Sequence, residues 1–291
     1  MILQARNRRI VFPRRPLVMG IVNLSDDSFS GDGSPELDDA LARAAEFVHC
    51  GADIIDIGGE SARTNRLPIY SAEEINRLQP FIERFPEISR NSLPADPEQI
   101  FPPLLSLNTW RSEVVSALLP LGVDILNDIG ALPQNDNARI AAAHGTALVV
   151  MHSVGLPKQK HTHIHYRDVM LELERFFAEK IDLARSAGLD REHLILDPGI
   201  DFAKQKTDNL RIYRDLERLT QFERPILLPV SRKTVIGETV NISEPANRDP
   251  GTVACIVAGM TRGANIFRVH NVTAAYQTVR TIWTVLEATA R

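Results

Sequence analysis

Residues 17–33 read LVMGIVNLSDDSFSGDG, and the fold follows from how this stretch divides. Residues 17–22 form an apolar run too short for a helix and bounded by Pro16 and Asn23, the pattern of a strand buried on both faces. Residues 23–33 are polar, rich in Asp, Ser and Gly, and long for a strand-to-helix connection; such loops in compact domains are functional or disordered. Leu37, Leu41, Ala44, Ala45 and Val48 then recur at helical spacing, Gly51 closes that helix, and residues 53–57 begin a second strand.

Working outward, the same unit repeats to the end of the chain. The second strand runs into Gly58-Gly59-Glu60-Ser61-Ala62-Arg63-Thr64, with glycines where backbone must approach something closely. Ser71-Ala72-Glu73-Glu74 has the spacing of a capping box and opens a helix to about residue 84. Residues 85–103, with five prolines, read as a surface excursion at the end of the molecule opposite the polar loops. Strands expected at 104–107, 124–126, 146–151, 194–196, 225–230 and 265–269 alternate with helices at 111–121, 135–144, 167–187, 208–219, 247–262 and 272–289. Eight strand-helix units predict a single (β/α)8 TIM barrel over residues 17–291, preceded by a solvated N-terminal arm, 1–16. A doubly wound open sheet is the competing architecture. The polar residues favour the barrel, because Asn23, the 58–63 loop, Asn108, Asn127-Asp128, His152, Asp197, Ser231-Arg232-Lys233 and Arg268 with His270 each follow a strand. In a barrel all eight strand C-termini share one face, and active sites are built there.

Composition bounds the function classes. Hydrophobic content of 44% and charged content of 24% are those of a soluble globular protein. A formal net charge of -4 gives no electrostatic reason to expect nucleic acid. The basic segment MILQARNRRIVFPRR lacks an apolar core or cleavage site of a targeting peptide, and no membrane span is expected. Cys50 and Cys255 are far apart in helical patterns, as expected of reduced thiols in the cytoplasm.

The polar ring carries the chemistry. Ser231-Arg232-Lys233 and Arg268-Val269-His270 follow the seventh and eighth strands, where barrels frequently bind phosphate, and two cations with an imidazole suit a dianionic leaving group. Taken singly, such cations are also ordinary surface charges. Asp197, between an apolar strand and Pro-Gly, directs a carboxylate at the barrel mouth; with Asn127 it can grip the N-C-N edge of a pterin or guanine ring, although Asp before Pro-Gly is also a common turn residue. Met151 at a strand end suits an apolar ligand slot or the core equally. His161, His163 and His165 alternate without the accompanying ligands of a metal site. Nucleophile-elbow, Walker and dinucleotide patterns are lacking, which disfavours NAD and ATP chemistry.

MGIVNLSDDSFSGDG, GADIIDIGGESAR, ILNDI, VMHS, LILDPGIDF, SRKTVIG and FRVHNV, in this order over residues 17–272, resemble the dihydropteroate synthase family of folate biosynthesis. The resemblance implies a barrel joining 6-hydroxymethyl-7,8-dihydropterin diphosphate to p-aminobenzoate, with loss of diphosphate accompanied by Mg2+ and a cationic pterin-methyl species attacked by the arylamine. It implies that Asn127, Asp197 and Lys233 hold the pterin, with Met151 lining it. Arg268 would stack on the pterin and, with His270 and Asn23, meet the diphosphate and its metal. Phe29, Phe202 and Thr234 would border the p-aminobenzoate slot, and the loops 24–33 and 60–66, the latter carrying Arg63, would close over it. The catalytic set so implied is Lys233, Asp197 and Arg268, in a cytoplasmic homodimer whose last helices form the contact.

The chain departs from the family pattern in places. Asn108 in SLNTW stands where the family has Asp, which keeps the shape and loses a charge able to stabilise a cationic pterin. The first loop has Leu24-Ser25-Asp26-Asp27 in place of Thr-Pro-Asp, and the second reads ESARTNR in place of ESTRPG. LVVMHSV resembles sulfonamide-insensitive members, so reduced sulfonamide sensitivity is an expectation. Two other readings fit a pterin-binding barrel: a non-catalytic paralogue, favoured by Asn108 and the altered loops, and a folate-dependent methyltransferase with a corrinoid partner, opposed by the cations after strands seven and eight.

Overall fold

Side chains alternate between the two faces of a strand, and here that alternation sorts the apolar residues into two cores. The computed structural model describes residues 1–25, 36–60, 67–155, 157–159 and 163–289. An antiparallel hairpin, β1 (Ile2–Ala5) and β2 (Arg8–Val11), precedes eight parallel strands. These are β3 (Leu17–Asn23), β4 (Ile54–Gly58), β5 (Leu104–Asn108), β6 (Ile125–Asp128), β7 (Ala147–Met151), β8 (Leu194–Asp197), β9 (Leu227–Leu228) and β10 (Ile266–Val269). Sequential strands pair, β10 returns to β3, and a parallel bridge between Leu196 and Ile226 joins β8 to the run into β9. The strands therefore close into a ring, which excludes the open doubly wound sheet. Around it lie α1 (Leu37–His49), α2 (Ser71–Arg84), α3 (Pro86–Arg90), α4 (Ser112–Leu118), α5 (Asp136–His144), α6 (Val169–Ser186), α7 (Lys206–Asp215), α8 (Thr234–Val240), α9 (Asp249–Met260) and α10 (Val272–Thr289).

Outward-facing Ile55, Ile57, Leu105, Leu107, Leu148, Val150 and Phe267 merge with helix residues such as Leu78, Val115 and Phe177 in one apolar cluster. Inward-facing Leu17, Met19, Ile54, Leu104, Ile125, Val149, Ile195 and Ile266 form a second. Two residues further along the same inward columns the chemistry changes, to Asp56, Ser106, Asn127, Asp197 and Arg268. The barrel is filled with hydrocarbon at its lower end and with polar groups at its mouth.

The N-terminal arm is not solvated as its basic composition led us to expect. Leu3, Ala5, Ile10 and Phe12 belong to the inward-facing cluster, so the hairpin plugs the bottom of the barrel. The reason is again period two: buried apolar residues alternate with Gln4, Arg9 and the exposed Val11, which turns one face of the hairpin to the barrel. Beneath the plug, fully buried Arg15 forms a bidentate pair with Asp53 at 2.9 and 3.0 Å, and Asp53 also accepts from the main chain of Val18 and Ile100. Removing the cation would leave a buried carboxylate uncompensated, a loss of roughly 3–5 kcal/mol. Arg15→Met should lower the midpoint of thermal unfolding by about 10 °C, at roughly 2–4 °C per kcal/mol. It should leave turnover at low temperature close to wild type; a melt within about 2 °C of wild type would contradict this.

The Ser71-to-Glu74 capping box does not form. Ser71 is already helical, its predecessor Tyr70 makes no side-chain cap, and the Glu74 carboxylate is taken by Arg111. The excursion at 85–103 lies away from the mouth as expected, but Gln99 and Ile100 are buried, and Gln99 Nε2 donates to the carbonyls of Val48 (2.9 Å) and Ala52 (2.7 Å).

Candidate active site

The polar layer at the mouth is organised by a residue that the sequence pattern did not single out, Asp56. It lies in the middle of β4, fully buried, with the same parity as Ile54. Its carboxylate accepts from Ser106 Oγ (2.5 Å), from Asn127 Nδ2 (3.2 Å to each oxygen), from Asn108 Nδ2 (3.5 Å) and from Arg268 Nε (2.7 Å). Donors from three strands, β5, β6 and β10, thus converge on one anion. Asn127 is 2% exposed, and its Oδ1 has no hydrogen-bond partner among the described residues. A buried acceptor of this kind carries a desolvation cost that a ligand N–H would offset.

Beside this layer is a second group, built on the end of β8. Asp197 is buried, accepts the Gly199 N–H at 2.7 Å, and lies in the field of Lys233, Lys204 and Arg268. Burial outweighs these cations and pushes its carboxyl up to about 6. Lys233 Nζ donates to the Ile200 carbonyl at 2.8 Å and lies 4.9 Å from the centre of the Phe202 ring; burial lowers the pKa of this ammonium, against the attraction of Asp201 and Asp197. Met151, 1% exposed at the end of β7, is the apolar member of the inward columns, paired in register with Asp197.

Other predicted residues take separate positions. His270 Nδ1 lies 2.8 Å from Ser231 Oγ, which also accepts the His270 N–H. Arg232 departs from the expected anion cluster, because Asp249 engages its guanidinium at 2.8 and 3.1 Å. Asp128, one residue beyond Asn127, has the opposite parity; it accepts from Gly130 N–H and Asn137 Nδ2 and is a structural residue, its carboxyl pushed by burial up to about 6. Thr234 is exposed at the start of α8, and Asn23 is half-buried at the end of β3, paired in register with Gly58. Phe29, Arg63 and His161, and most of the two loops expected to close over the mouth, lie outside the described residues.

Two further residues take roles that the sequence reading did not assign, Lys204, which it did not name, and Glu60, which it gave only as part of a polar loop. Lys204 Nζ bonds His152 Nδ1 (2.8 Å), His152 O (3.3 Å) and Phe202 O (3.0 Å), joining the loops after β7 and β8. Burial lowers this ammonium to about 7, opposed mainly by Asp197. Glu60, buried at the end of β4, receives Arg111 and Lys158, the latter at 2.7 Å, and so joins the β4, β5 and β7 loops. Sequence offers a signal for neither pairing, since the partners lie 51 residues or more apart.

A closed barrel whose inward columns end in Asp56, Asp197, paired amides and Arg268, with Lys204 and Lys233 beside them, suits a planar, nitrogen-rich heterocycle bearing an anionic group. The family of pterin binding enzymes matches residues 19–270, and the chain belongs to it. It is 35% identical over 274 residues to the dihydropteroate synthase of Escherichia coli K12, covering 94% of this chain and 93% of that one. The fold superimposes on a Yersinia pestis dihydropteroate synthase solved with a sulfonamide drug, with TM-score 0.88, 33% identity and coverage of 99% and 100% of the two chains. A Xanthomonas albilineans dihydropteroate synthase with 4-aminobenzoic acid gives 0.84, 34%, and coverage of 99% and 98%. Within the pterin-binding enzymes, the chain therefore belongs with the dihydropteroate synthases.

Proposed function

We propose that this protein is a dihydropteroate synthase, joining 6-hydroxymethyl-7,8-dihydropterin diphosphate to p-aminobenzoate. The observation that carries the reading is the inward layer in which Asp56 gathers Asn108, Asn127 and Arg268 beside Asp197 and Lys233. Asp197 and the unsatisfied Asn127 oxygen supply acceptors for the N–H edge of the pterin. Lys233, Arg268 and His270 supply donors for ring and diphosphate oxygens. As the bond between the pterin methylene and the diphosphate oxygen breaks, these donors stabilise the charge developing on the leaving group. Asp56 and Asp197 meanwhile stabilise positive charge on the pterin, and the arylamine nitrogen forms the new bond and loses a proton.

Asn108 fits this scheme. Its amide donates to Asp56, where a second carboxylate would repel it, so the exchange completes the hydrogen-bonded layer. The donor set also fits Mg2+ arriving with its substrate. Mg2+ keeps several waters and binds through one or two protein groups plus phosphates; Asn23 offers one amide oxygen, and among the described residues no cluster of three acidic, His or Cys side chains converges. Asn23 would hold the ion, which neutralises diphosphate charge when bound. Exposed Val285 and Leu286 on α10 support a homodimer through the last helices. Two free cysteines support the cytoplasm as the compartment, and none of the described helices is long and apolar enough to cross a membrane. Reduced sulfonamide sensitivity rests on the LVVMHSV segment and the altered loops, and an inhibition constant below the KM for p-aminobenzoate would remove it.

The test is diphosphate release from the pterin substrate with p-aminobenzoate, with and without Mg2+, beside calorimetric binding of each substrate. Binding without turnover would refute the synthase. Asn23→Ala should raise Kd for the pterin diphosphate about tenfold in Mg2+, about 1.4 kcal/mol, and change binding of the diphosphate-free pterin less. Phe29→Ala should act chiefly on KM for p-aminobenzoate. Equal losses for both substrates in both variants would refute that division.

A further inference from the structure

Between Ile200 and Lys204 the main chain enters the left-handed region at two residues that are not glycine, Asp201 (φ +68°) and Ala203 (φ +50°). Such backbone costs of order 1 kcal/mol or more per residue and persists where the surroundings over-determine it. At Asp201 they do. Its N–H donates to Asn209 Oδ1 (2.9 Å); its Oδ1 accepts from Asn209 Nδ2 (3.1 Å) and from the Val235 N–H (3.3 Å). Its Oδ2 accepts the Thr234 N–H. A single carboxylate thereby ties the loop after β8 to the first residues of α8.

The hydrogen bonds of this tie hold one end of the site, while the charge of Asp201 also faces Lys233. Phe202 is the next residue in the chain, and Thr234 is held through its own N–H; on the synthase reading both border the arylamine slot. Lys233, by contrast, is held at Ile200 O (2.8 Å) and, through its own carbonyl, by Arg248 Nη1 (3.3 Å). The far side of the strap is anchored by Lys204 on His152 and on Phe202 O. Asp197, at the end of β8, accepts the Gly199 N–H, and Asn127, in β6, is held by Asp56 in β4.

We propose that Asp201 is a positioning residue for the arylamine substrate: it acts through Phe202 and Thr234 to set the width of the p-aminobenzoate slot, an inference that rests on the synthase reading above. Asp201→Gly removes the carboxylate while allowing the left-handed backbone, so the chain still folds. Asp201→Asn also tolerates that backbone and keeps one acceptor oxygen. In steady-state kinetics Asp201→Gly should raise KM for p-aminobenzoate about tenfold with kcat within threefold of wild type, and Asp201→Asn should recover part of that loss, its Oδ1 keeping the donors on one side while its Nδ2 opposes those on the other. Calorimetry should give a Kd for the pterin diphosphate within threefold of wild type in both. A KM for p-aminobenzoate within twofold of wild type in Asp201→Gly would overturn the assignment, as would a parallel rise in pterin Kd. Absence of turnover in the wild-type protein would instead remove the synthase reading, and the inference with it.

Discussion

Replacing Asp56 with alanine should lower kcat/KM for both substrates by about 1,000-fold or more, equivalent to about 4 kcal/mol of transition-state stabilisation. The size of the effect follows from the number of groups that lose their partner. Ser106, Asn108, Asn127 and Arg268 all donate to this carboxylate. Without it, the Arg268 guanidinium has no counter-charge at that point and the two amides can rotate. Asn at this position is no rescue, since its Nδ2 would oppose the amide and guanidinium donors. Asp56→Asn should therefore also lose at least 100-fold, and retention of more than a tenth of wild-type kcat/KM would show that the layer does not depend on Asp56. Calorimetry should show weaker binding of the pterin diphosphate in both variants.

Asp197→Asn should separate activity from stability. Burial raises this carboxyl to about 6, so at pH 7 the folded protein holds an ionised group that would be more stable in water. An Asp whose pKa is higher when folded binds its proton more tightly in that state, so its ionisation costs stability above about pH 6. That cost declines as pH falls toward the unfolded value near 3.8. Asparagine removes the cost and retains an oxygen for the Gly199 N–H. The variant should gain up to about 3 kcal/mol at pH 7, or several degrees in the melting midpoint, and the gain should shrink between pH 6 and pH 4. Turnover should fall at least 100-fold, since the pterin loses its charged acceptor. In wild type, protonation of Asp197 should weaken pterin diphosphate binding below about pH 6, and the variant should lack this limb. A less stable Asp197→Asn protein at pH 7 would contradict the account.

The barrel was legible because each buried parallel strand is a short apolar run bounded by Gly, Pro or Asn. The strand expected at 225–230 shrinks to Leu227–Leu228 because Pro225 and Pro229 lack donors for the ladder. The candidate site was legible where polar residues stand at or next to strand ends, as at Asn108, Asn127, Asp197 and Arg268. Asp56 escaped because it stands inside the apolar run IIDIG, and only its shared parity with Ile54 marks it as inward-facing. The fate of Arg232 depended on Asp249, 17 residues on, and the clasps made by Asp201 and Lys204 depend on loop geometry. The N-terminal hairpin was hidden by its arginines, although its alternation was present in the residues.

That hairpin has a consequence for biosynthesis. Ile2 receives the Arg224 side chain on its carbonyl, across 222 residues, and β1 packs against β7 and the turn before β8. During translation β1 must wait for residue 224 before this bond can form. The lower hydrocarbon layer, which also takes Leu227 and Ile266, stays open to water until after that point, so the interval before the last quarter of the chain emerges is when the nascent protein most needs protection from aggregation.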